Sequence, residues 1–279
     1  MRSSVLGLVK ASHPEPAAAV TVVAGLLATG VGHRPAGIAT VVLTVLASQL
    51  AVGWSNDALD ARRDAMVGRT DKPVVTGVVR RRTLAYAAVA AAVATPLLAL
   101  AAGGAAAACV ALGLVSALLY NWPLKSTPVS VLPYAISFGA LPAFVVLALP
   151  GAPLPPVWLV AAAASLGAGA HFANVLPDLA DDARTGVRGL PHRLGPAGSR
   201  LAAAGLLLAA TVILVVGPPG PPSWAGLSAI AVAALVPALG WYAGRVAVRS
   251  GGRPVAPFRA MLVVALVDVV LLVANGRVV

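Results

Sequence analysis

Long apolar stretches separated by short polar ones make up most of this sequence of 279 residues. A helix that crosses a membrane needs about 20 consecutive apolar residues. Nine stretches come close to this length, at residues 17–31, 36–55, 83–101, 104–121, 131–150, 156–176, 199–217, 223–243 and 257–275. The breaks between them are rich in Gly and Pro, which end helices. The pattern predicts an all-α, polytopic membrane protein of about nine transmembrane helices.

The composition of the chain supports the membrane prediction. Hydrophobic residues make up 59% of the chain and charged residues 10%, and the mean hydropathy is +0.91. A soluble domain carries about 25% charged residues, so this chain lacks the polar surface that a water-soluble protein needs. The formal net charge is +11, but basic residues of membrane proteins collect in short cytoplasmic loops. The charge therefore indicates membrane orientation rather than a nucleic-acid partner.

The charged residues fall mainly on one side of the predicted membrane. With the N-terminus inside, the inner segments are 1–16, 56–82, 122–130, 177–198 and 244–256. The opposite loops, at 102–103, 151–155 and 218–222, carry no charge. The positive-inside rule then predicts an N-in, C-out orientation. We expect a multi-pass protein of the cell (inner or plasma) membrane.

Acidic residues are concentrated in two of the inner segments. They are Asp57, Asp60, Asp64, Asp71, Asp178, Asp181 and Asp182, seven of the nine in the chain. The first three stand at i, i+3 and i+7, on one face of a helix continuing from the second span. Two carboxylates about 4 Å apart repel by about 4 kcal/mol at an effective dielectric constant of about 20. A divalent cation would offset this repulsion, and oxygen ligands favour Mg²⁺ or Ca²⁺. The alternative is a set of solvated charges paired with Arg62, Arg63 and Arg184.

The two acidic segments align with each other at an offset of 118 residues. This offset pairs Asn56 with Asn174, Asp60 with Asp178, Asp64 with Asp182, Gly68 with Gly186, Pro73 with Pro191 and Gly77 with Gly195. Repeated halves of a helical membrane protein usually place the functional site between them. We therefore expect a single domain, residues 1–279, built of two pseudo-repeats at roughly 1–130 and 131–279.

Three segments of the chain carry a family resemblance. Residues 56–64, NDALDARRD, resemble the NDxxDxxxD motif of the UbiA superfamily of intramembrane prenyltransferases. Residues 68–77, GRTDKPVVTG, are similar to the basic, Pro-containing stretch that follows it, and residues 178–188, DLADDARTGVR, resemble the second DxxxD motif. The resemblance covers the whole chain. It implies helices surrounding a central cavity with an active site facing the cytoplasm.

The resemblance also implies an activity. This is Mg²⁺-dependent transfer of a prenyl group from an isoprenyl diphosphate to a lipophilic acceptor, aromatic or another small nucleophile, within the lipid membrane. It implies two Mg²⁺ ions, with Asn56, Asp57, Asp60, Asp64, Asp178 and Asp182 as the metal-binding residues, and the five aspartates among them are also catalytic. The implied diphosphate-binding residues are Asn56, Arg69, Lys72, Lys125 and Arg188. Tyr120 would be catalytic by stabilising an allylic cation with its aromatic face; the alternative is an interfacial anchor.

Other functions remain open from the sequence. A member of the superfamily could cyclise the prenyl diphosphate without any acceptor. A membrane cation transporter is the non-enzyme alternative, although transporter sites lie near the bilayer midplane and these acids lie at the inner ends of spans. A CDP-alcohol phosphotransferase is disfavoured because residues 60–64, DARRD, do not supply its motif. The sequence assigns no acceptor, prenyl chain length or oligomeric state, and no role to His13, His171 or Asp268.

Overall fold

The computed structural model describes residues 2–250 and 256–275, and these residues form helices and turns without a strand. The helices are α1 (Arg2–Ala11), α2 (Pro14–Gly30), α3 (Pro35–Met66), α4 (Arg81–Ala99), α5 (Gly104–Asn121), α6 (Val131–Leu147), α7 (Val157–Val175), α8 (Leu179–Arg184), α9 (Leu190–Val216), α10 (Trp224–Arg249) and α11 (Ala256–Asn275). Short 3₁₀ turns at Leu100–Ala102, Leu124–Ser126 and Leu176–Asp178 join some of them. The all-α prediction is confirmed for this part of the chain.

Each predicted span overlaps one long helix, namely α2 to α7 and α9 to α11. Six of the described helices are long and apolar enough to cross a membrane. They are Pro35–Met66, Arg81–Ala102, Gly104–Asn121, Val157–Arg184, Leu190–Val216 and Trp224–Ala247. A multi-pass membrane protein is therefore supported, whereas nine crossings and the N-in, C-out orientation stay predictions.

Two helices extend well beyond the apolar stretches that predicted them. Helix α3 continues to Met66 and carries the first acidic motif on its last turns. Helix α9 begins at Leu190 and bends where Gly195 (φ 68°) precedes Pro196. Proline cannot donate the helical hydrogen bond, and glycine readily adopts a positive φ. The acidic segments are thus helix ends rather than open loops.

The long helices surround a central cavity of about 880 Å³. Helix α6 packs against α5 and α7, α7 packs against α9, and α11 packs against both α10 and α2, so that the last helix meets the first long one. Close contact depends on small residues: a Cβ added at Gly167 would lie 2.5 Å from Cβ of Phe138. Small residues allow helix backbones to approach in membranes. The cavity wall comes from α2, α3, α5, α6, α7, α9 and α11.

Candidate active site

Both acidic segments contribute to one end of the cavity. Its lining includes Asp60, Asp64, Asp178, Asp181 and Asp182, together with four cations, Arg63, Arg69, Lys72 and Lys125. Arginines join the segments across the cavity. Nη1 of Arg69 lies 3.5 Å from Oδ1 of Asp178, and Nη2 of Arg63 lies 3.7 Å from Oδ1 of Asp182. The structure therefore brings together two segments that are more than 100 residues apart in the chain.

The two segments end their helices in the same way. The amide of Gly68 donates to the carbonyl of Ala65 at 3.2 Å, and the amide of Gly186 donates to that of Ala183 at 3.4 Å. Gly68 has φ 70° and Gly186 has φ 83°. This is the Schellman ending, in which a left-handed glycine lets the chain satisfy the last helical carbonyls. The offset of 118 residues is thus reproduced in the backbone, while the division into halves at residue 130 stays a prediction.

Asp60 is the most strongly held of the cavity carboxylates. Nζ of Lys125 lies 2.5 and 2.6 Å from its two oxygens, and Nη2 of Arg63 donates to Oδ2 at 3.2 Å. Nδ2 of Asn56 points to the same oxygen at 3.4 Å. Burial lowers the pKa of Lys125, and the nearby Asp60 opposes this effect. Two cations therefore face this carboxylate at the edge of the cavity.

Asp57 has a different environment, although it lies only one helical turn away. Its side chain is fully buried. Oδ1 accepts a hydrogen bond from Nζ of Lys72 at 2.6 Å and lies 2.9 Å from Nε2 of His13. Lys72 Nζ also lies 3.2 Å from the same histidine nitrogen. Asp57 thus holds two protein side chains.

Asp64, like Asp57, has a carboxylate oxygen without a partner among the described residues. Its Oδ2 is buried and has no hydrogen-bond partner in the part of the chain that is described. Buried polar atoms are nearly always hydrogen-bonded, and each exception calls for an explanation such as an ion. Asp64 also lines the cavity. Asp64 is therefore a residue of the cavity wall with one carboxylate oxygen that no described side chain or backbone group satisfies.

The predicted basic residues separate into two groups. Arg69, Lys72 and Lys125 line the cavity, whereas Arg188 is exposed and is not part of its lining. Nε and Nη2 of Arg69 each donate to Asp71 at 2.9 Å, and this contact raises the pKa of the arginine. The sequence interpretation gave Arg63 only a possible pairing role. Its position one residue before Asp64, within the first acidic motif, was the signal that the sequence offered. The structure shows that its side chain reaches Asp182 of the second motif.

An aromatic group lies beside the acidic end of the cavity. Tyr120 lines the cavity and meets Tyr134 edge to face, with ring centroids 4.8 Å apart. Nδ2 of Asn174 donates to the hydroxyl of Tyr134 at 3.1 Å. His171 is buried behind both rings, with Nε2 3.0 Å from Oγ of Ser130. The sequence interpretation missed Tyr134, because a lone tyrosine in an apolar stretch gives no signal of its own.

Asp268 lies in the apolar part of the cavity wall. Oγ1 of Thr211 donates to its Oδ2 at 3.1 Å, which joins α9 to α11. Near the opposite end of α11, Arg259 makes a two-pronged ion pair with Glu15 on α2, at 2.8 and 3.0 Å. Both contacts connect α11 to the rest of the bundle.

A model of the UbiA prenyltransferase family matches residues 17–266. This chain belongs to the UbiA prenyltransferase family. No curated protein matches it in sequence. The family membership confirms the resemblance seen in the aspartate motifs.

Solved structures share the fold of this UbiA family chain. A UbiA homolog from Archaeoglobus fulgidus bound to DMAPP and Mg²⁺ is 15% identical, with a TM-score of 0.71 over 96% of this chain and 97% of that one. An apo UbiA homolog from Aeropyrum pernix K1 is 21% identical, with a TM-score of 0.67 over 99% and 97%. A digeranylgeranylglyceryl phosphate synthase is 14% identical, with a TM-score of 0.67 over 99% of each chain. At these identities the similarity shows the fold alone.

The donor set of this UbiA family chain fits Mg²⁺. Within residues 2–250 and 256–275, no three His, Cys, Asp or Glu side chains converge as a ready-made metal cage. Mg²⁺ does not require one, because it usually takes one or two carboxylates together with substrate phosphates. Asp64, Asp178 and Asp182, which line the same cavity, offer such oxygens, and Oδ2 of Asp64 has no hydrogen-bond partner among the described residues.

Proposed function

We propose that this protein transfers a prenyl group from an isoprenyl diphosphate to a lipophilic acceptor, within the membrane and with Mg²⁺ bound. One observation carries the proposal: both acidic motifs line the same end of a largely apolar cavity, where arginines of the first motif segment reach Asp178 and Asp182 of the second. A diphosphate with Mg²⁺ suits the charged end, and an isoprenoid chain suits the rest. The aspartate end would face the cytoplasm of the cell or inner membrane.

The proposed metal ligands are Asp60 and Asp64 for one Mg²⁺ ion, and Asp178 and Asp182 for a second. When bound, Mg²⁺ would neutralise charge on the diphosphate and so make it a better leaving group. Asn56 would orient Asp60, to which it already donates a hydrogen bond. The sequence prediction also makes Asn56 and Asp57 metal ligands. Asp57, unlike Asp60 and Asp64, is not part of the cavity lining. Because its Oδ1 holds Lys72 and His13, we instead assign Asp57 the role of fixing these two side chains.

Four basic side chains would bind the diphosphate. Arg69 and Arg63 already span the two motifs, and Lys72 and Lys125 project into the same end of the cavity. Hydrogen bonds between ionised groups are about twice as strong as neutral ones, so a diphosphate would compete well for these donors. Arg188 is exposed outside the cavity lining, and we leave it out of this set.

The apolar part of the cavity would hold the isoprenoid chain. Phe138, Leu141 and Leu166 are part of this wall. Burial stabilises a hydrocarbon by about 0.8 kcal/mol per CH₂ group, which offers a substantial binding energy even for a short chain. Tyr120 and Tyr134 lie at the junction of the apolar and charged parts, where their ring faces would stabilise positive charge as the diphosphate departs.

The decisive experiment combines purified protein in detergent with geranyl, farnesyl or geranylgeranyl diphosphate. Each would be supplied with and without para-hydroxybenzoate, dihydroxynaphthoate or geranylgeranylglyceryl phosphate. Prenylated acceptor and released diphosphate would be measured by mass spectrometry and a coupled assay. We expect Mg²⁺-dependent formation of a prenylated acceptor. A cyclic hydrocarbon formed without acceptor would identify a cyclase instead, and unchanged prenyl diphosphate in every mixture would reject the proposal.

A further inference from the structure

The corner between α1 and α2 is built against α3. His13 forms this corner in the left-handed region, at φ 54° and ψ 65°. Nε1 of Trp54 donates to the carbonyl of Leu8 at 2.9 Å. A Cβ added at Gly53 would lie 2.7 Å from the carbonyl oxygen of Ser12, so that only glycine allows this approach. The next turn of α3 supplies Asp57, whose Oδ1 lies 2.9 Å from His13 Nε2.

These contacts define the hydrogen-bonding state of the His13 ring. A carboxylate can only accept hydrogen bonds, so we assign the proton between Nε2 and Asp57 to the histidine. Lys72 Nζ, 3.2 Å from the same nitrogen, then donates to Oδ1 of Asp57 at 2.6 Å and not to His13. In a neutral imidazole the other nitrogen is then an acceptor with a free lone pair. No described residue supplies a hydrogen bond to Nδ1, and the side chain retains 39% of its exposure. Unlike Asp57, His13 lines the cavity.

His13 lies beside the proposed reaction site. Asp60 follows Asp57 by one helical turn, about 5 Å along the axis. Lys72, one of the proposed diphosphate-binding residues, lies 3.2 Å from Nε2 of His13. The histidine is therefore adjacent to the proposed metal and diphosphate site without being needed as a ligand in it.

We propose that His13 is an acceptor-binding residue. Its Nδ1 accepts a hydrogen bond from a hydroxyl or N–H group of the acceptor, and Asp57 is the residue that positions the ring. This inference rests on the proposed function, because it assumes that an acceptor enters the cavity. The acceptor class that it specifies is a lipophilic molecule with a hydrogen-bond donor next to its nucleophilic atom.

A purely structural role predicts a different behaviour. If His13 served only to hold the α1–α2 corner, the contact from Nε2 to Asp57 would be the one that mattered. Substitutions that preserve one nitrogen at a time separate these roles. In His13→Gln the amide reaches the position of Nε2 and nothing replaces Nδ1. In His13→Asn the amide replaces Nδ1 but does not reach Asp57, and asparagine tolerates the left-handed backbone.

The experiment measures KM for the acceptor and KM for the prenyl diphosphate, with the acceptor from the panel above that the wild type prenylates. For His13→Gln we expect acceptor KM to rise about tenfold, as for one lost hydrogen bond, and KM for the prenyl diphosphate to change less than about twofold. His13→Asn should stay closer to wild type in acceptor KM. His33→Gln is the matched control, because His33 bonds to the carbonyl of Val145 away from the cavity lining. Thermal midpoints would show that all variants are folded.

Three outcomes would overturn the inference. They are an unchanged acceptor KM in His13→Gln, a larger acceptor defect in His13→Asn than in His13→Gln, or parallel changes in both KM values. Each of these leaves the prenyl transfer of the wild type intact, so the proposed function would survive. Failure of the wild type to prenylate any acceptor would reject the proposed transfer itself, and the role of His13 with it.

Discussion

Asp64 and Asp182 occupy the same position in two helices that end alike. The carbonyl of Asp64 accepts a hydrogen bond at 2.9 Å from the amide of Arg69, and the carbonyl of Asp182 accepts one at 2.9 Å from the amide of Val187. Each aspartate is thus fixed one turn before a left-handed glycine. Because both residues also line the same cavity, two equivalent helix ends contribute one carboxylate each to it.

The first prediction concerns the metal. Prenyl transfer should require a divalent cation and should stop in excess EDTA, because the acids of the two motifs need a counter-charge once a diphosphate is bound. Addition of Mg²⁺ beyond the chelator should restore it. The measurement is product formation with and without chelator, and full turnover in EDTA would contradict the proposed mechanism.

The second prediction concerns the paired aspartates. Asp60→Asn and Asp178→Asn should each lower kcat by about 100-fold or more, as expected when one electrostatic contact to the reacting group is lost. The double variant should be about as slow as the worse single variant, because residues that act as one unit are not additive.

Asp181→Asn is the control for this pair. Asp181 has Arg63 rather than an acid at the offset of 118 residues, and its carboxylate lies 3.5 Å from the exposed Arg184. Its kcat should fall much less than that of Asp178→Asn. If Asp181→Asn and Asp178→Asn lowered kcat equally and Asp60→Asn stayed active, a single site on the second motif would be favoured.

The third prediction concerns the glycines that end the two acidic helices. Gly68→Ala and Gly186→Ala should each destabilise the protein by about 1 kcal/mol, because an L-residue is strained at positive φ. A Cβ at either site would meet nothing within 4 Å, so the effect would come from the backbone alone. Gly104→Ala, in equally open space at the start of α5, is the control and should not lower stability. Thermal midpoints in detergent would measure this, and equal midpoints for all three variants would contradict it.

The fourth prediction concerns orientation. In a Cys109→Ala background, Thr70→Cys should react with a thiol reagent only from the cytoplasmic side, and Leu154→Cys only from the opposite side. Both positions are exposed. The reason is the positive-inside rule, since the segment with Thr70 is rich in Lys and Arg and the loop with Leu154 is uncharged. Labelling of Thr70→Cys from outside intact cells would reverse the proposed topology.

The pattern of residues along the chain was sufficient to predict the long helices and to show that the two acidic motifs are equivalent. The i, i+3, i+7 spacing of the first motif indicated that α3 continues past the apolar stretch, and α3 does end at Met66. Likewise, the offset of 118 residues pairs Gly68 with Gly186, and the structure places both at helix ends of the same type. Helical periodicity and glycine conformation depend on neighbours within a few residues, so a single sequence contains this information.

The sequence by itself thus determined the membrane class, the long helices, the family and the two acidic motifs of the charged end. Only the tertiary structure decided which charge meets which. Asp57 and Asp60 share a helix and a motif, yet the first holds His13 and Lys72, and the second faces Lys125 in the cavity. Those partners are 44, 15 and 65 residues away in the chain. The same holds for Tyr134 beside Tyr120 and for the exposure of Arg188. Such contacts depend on how separate helices pack against one another. The pattern of residues along a single helix does not specify this packing.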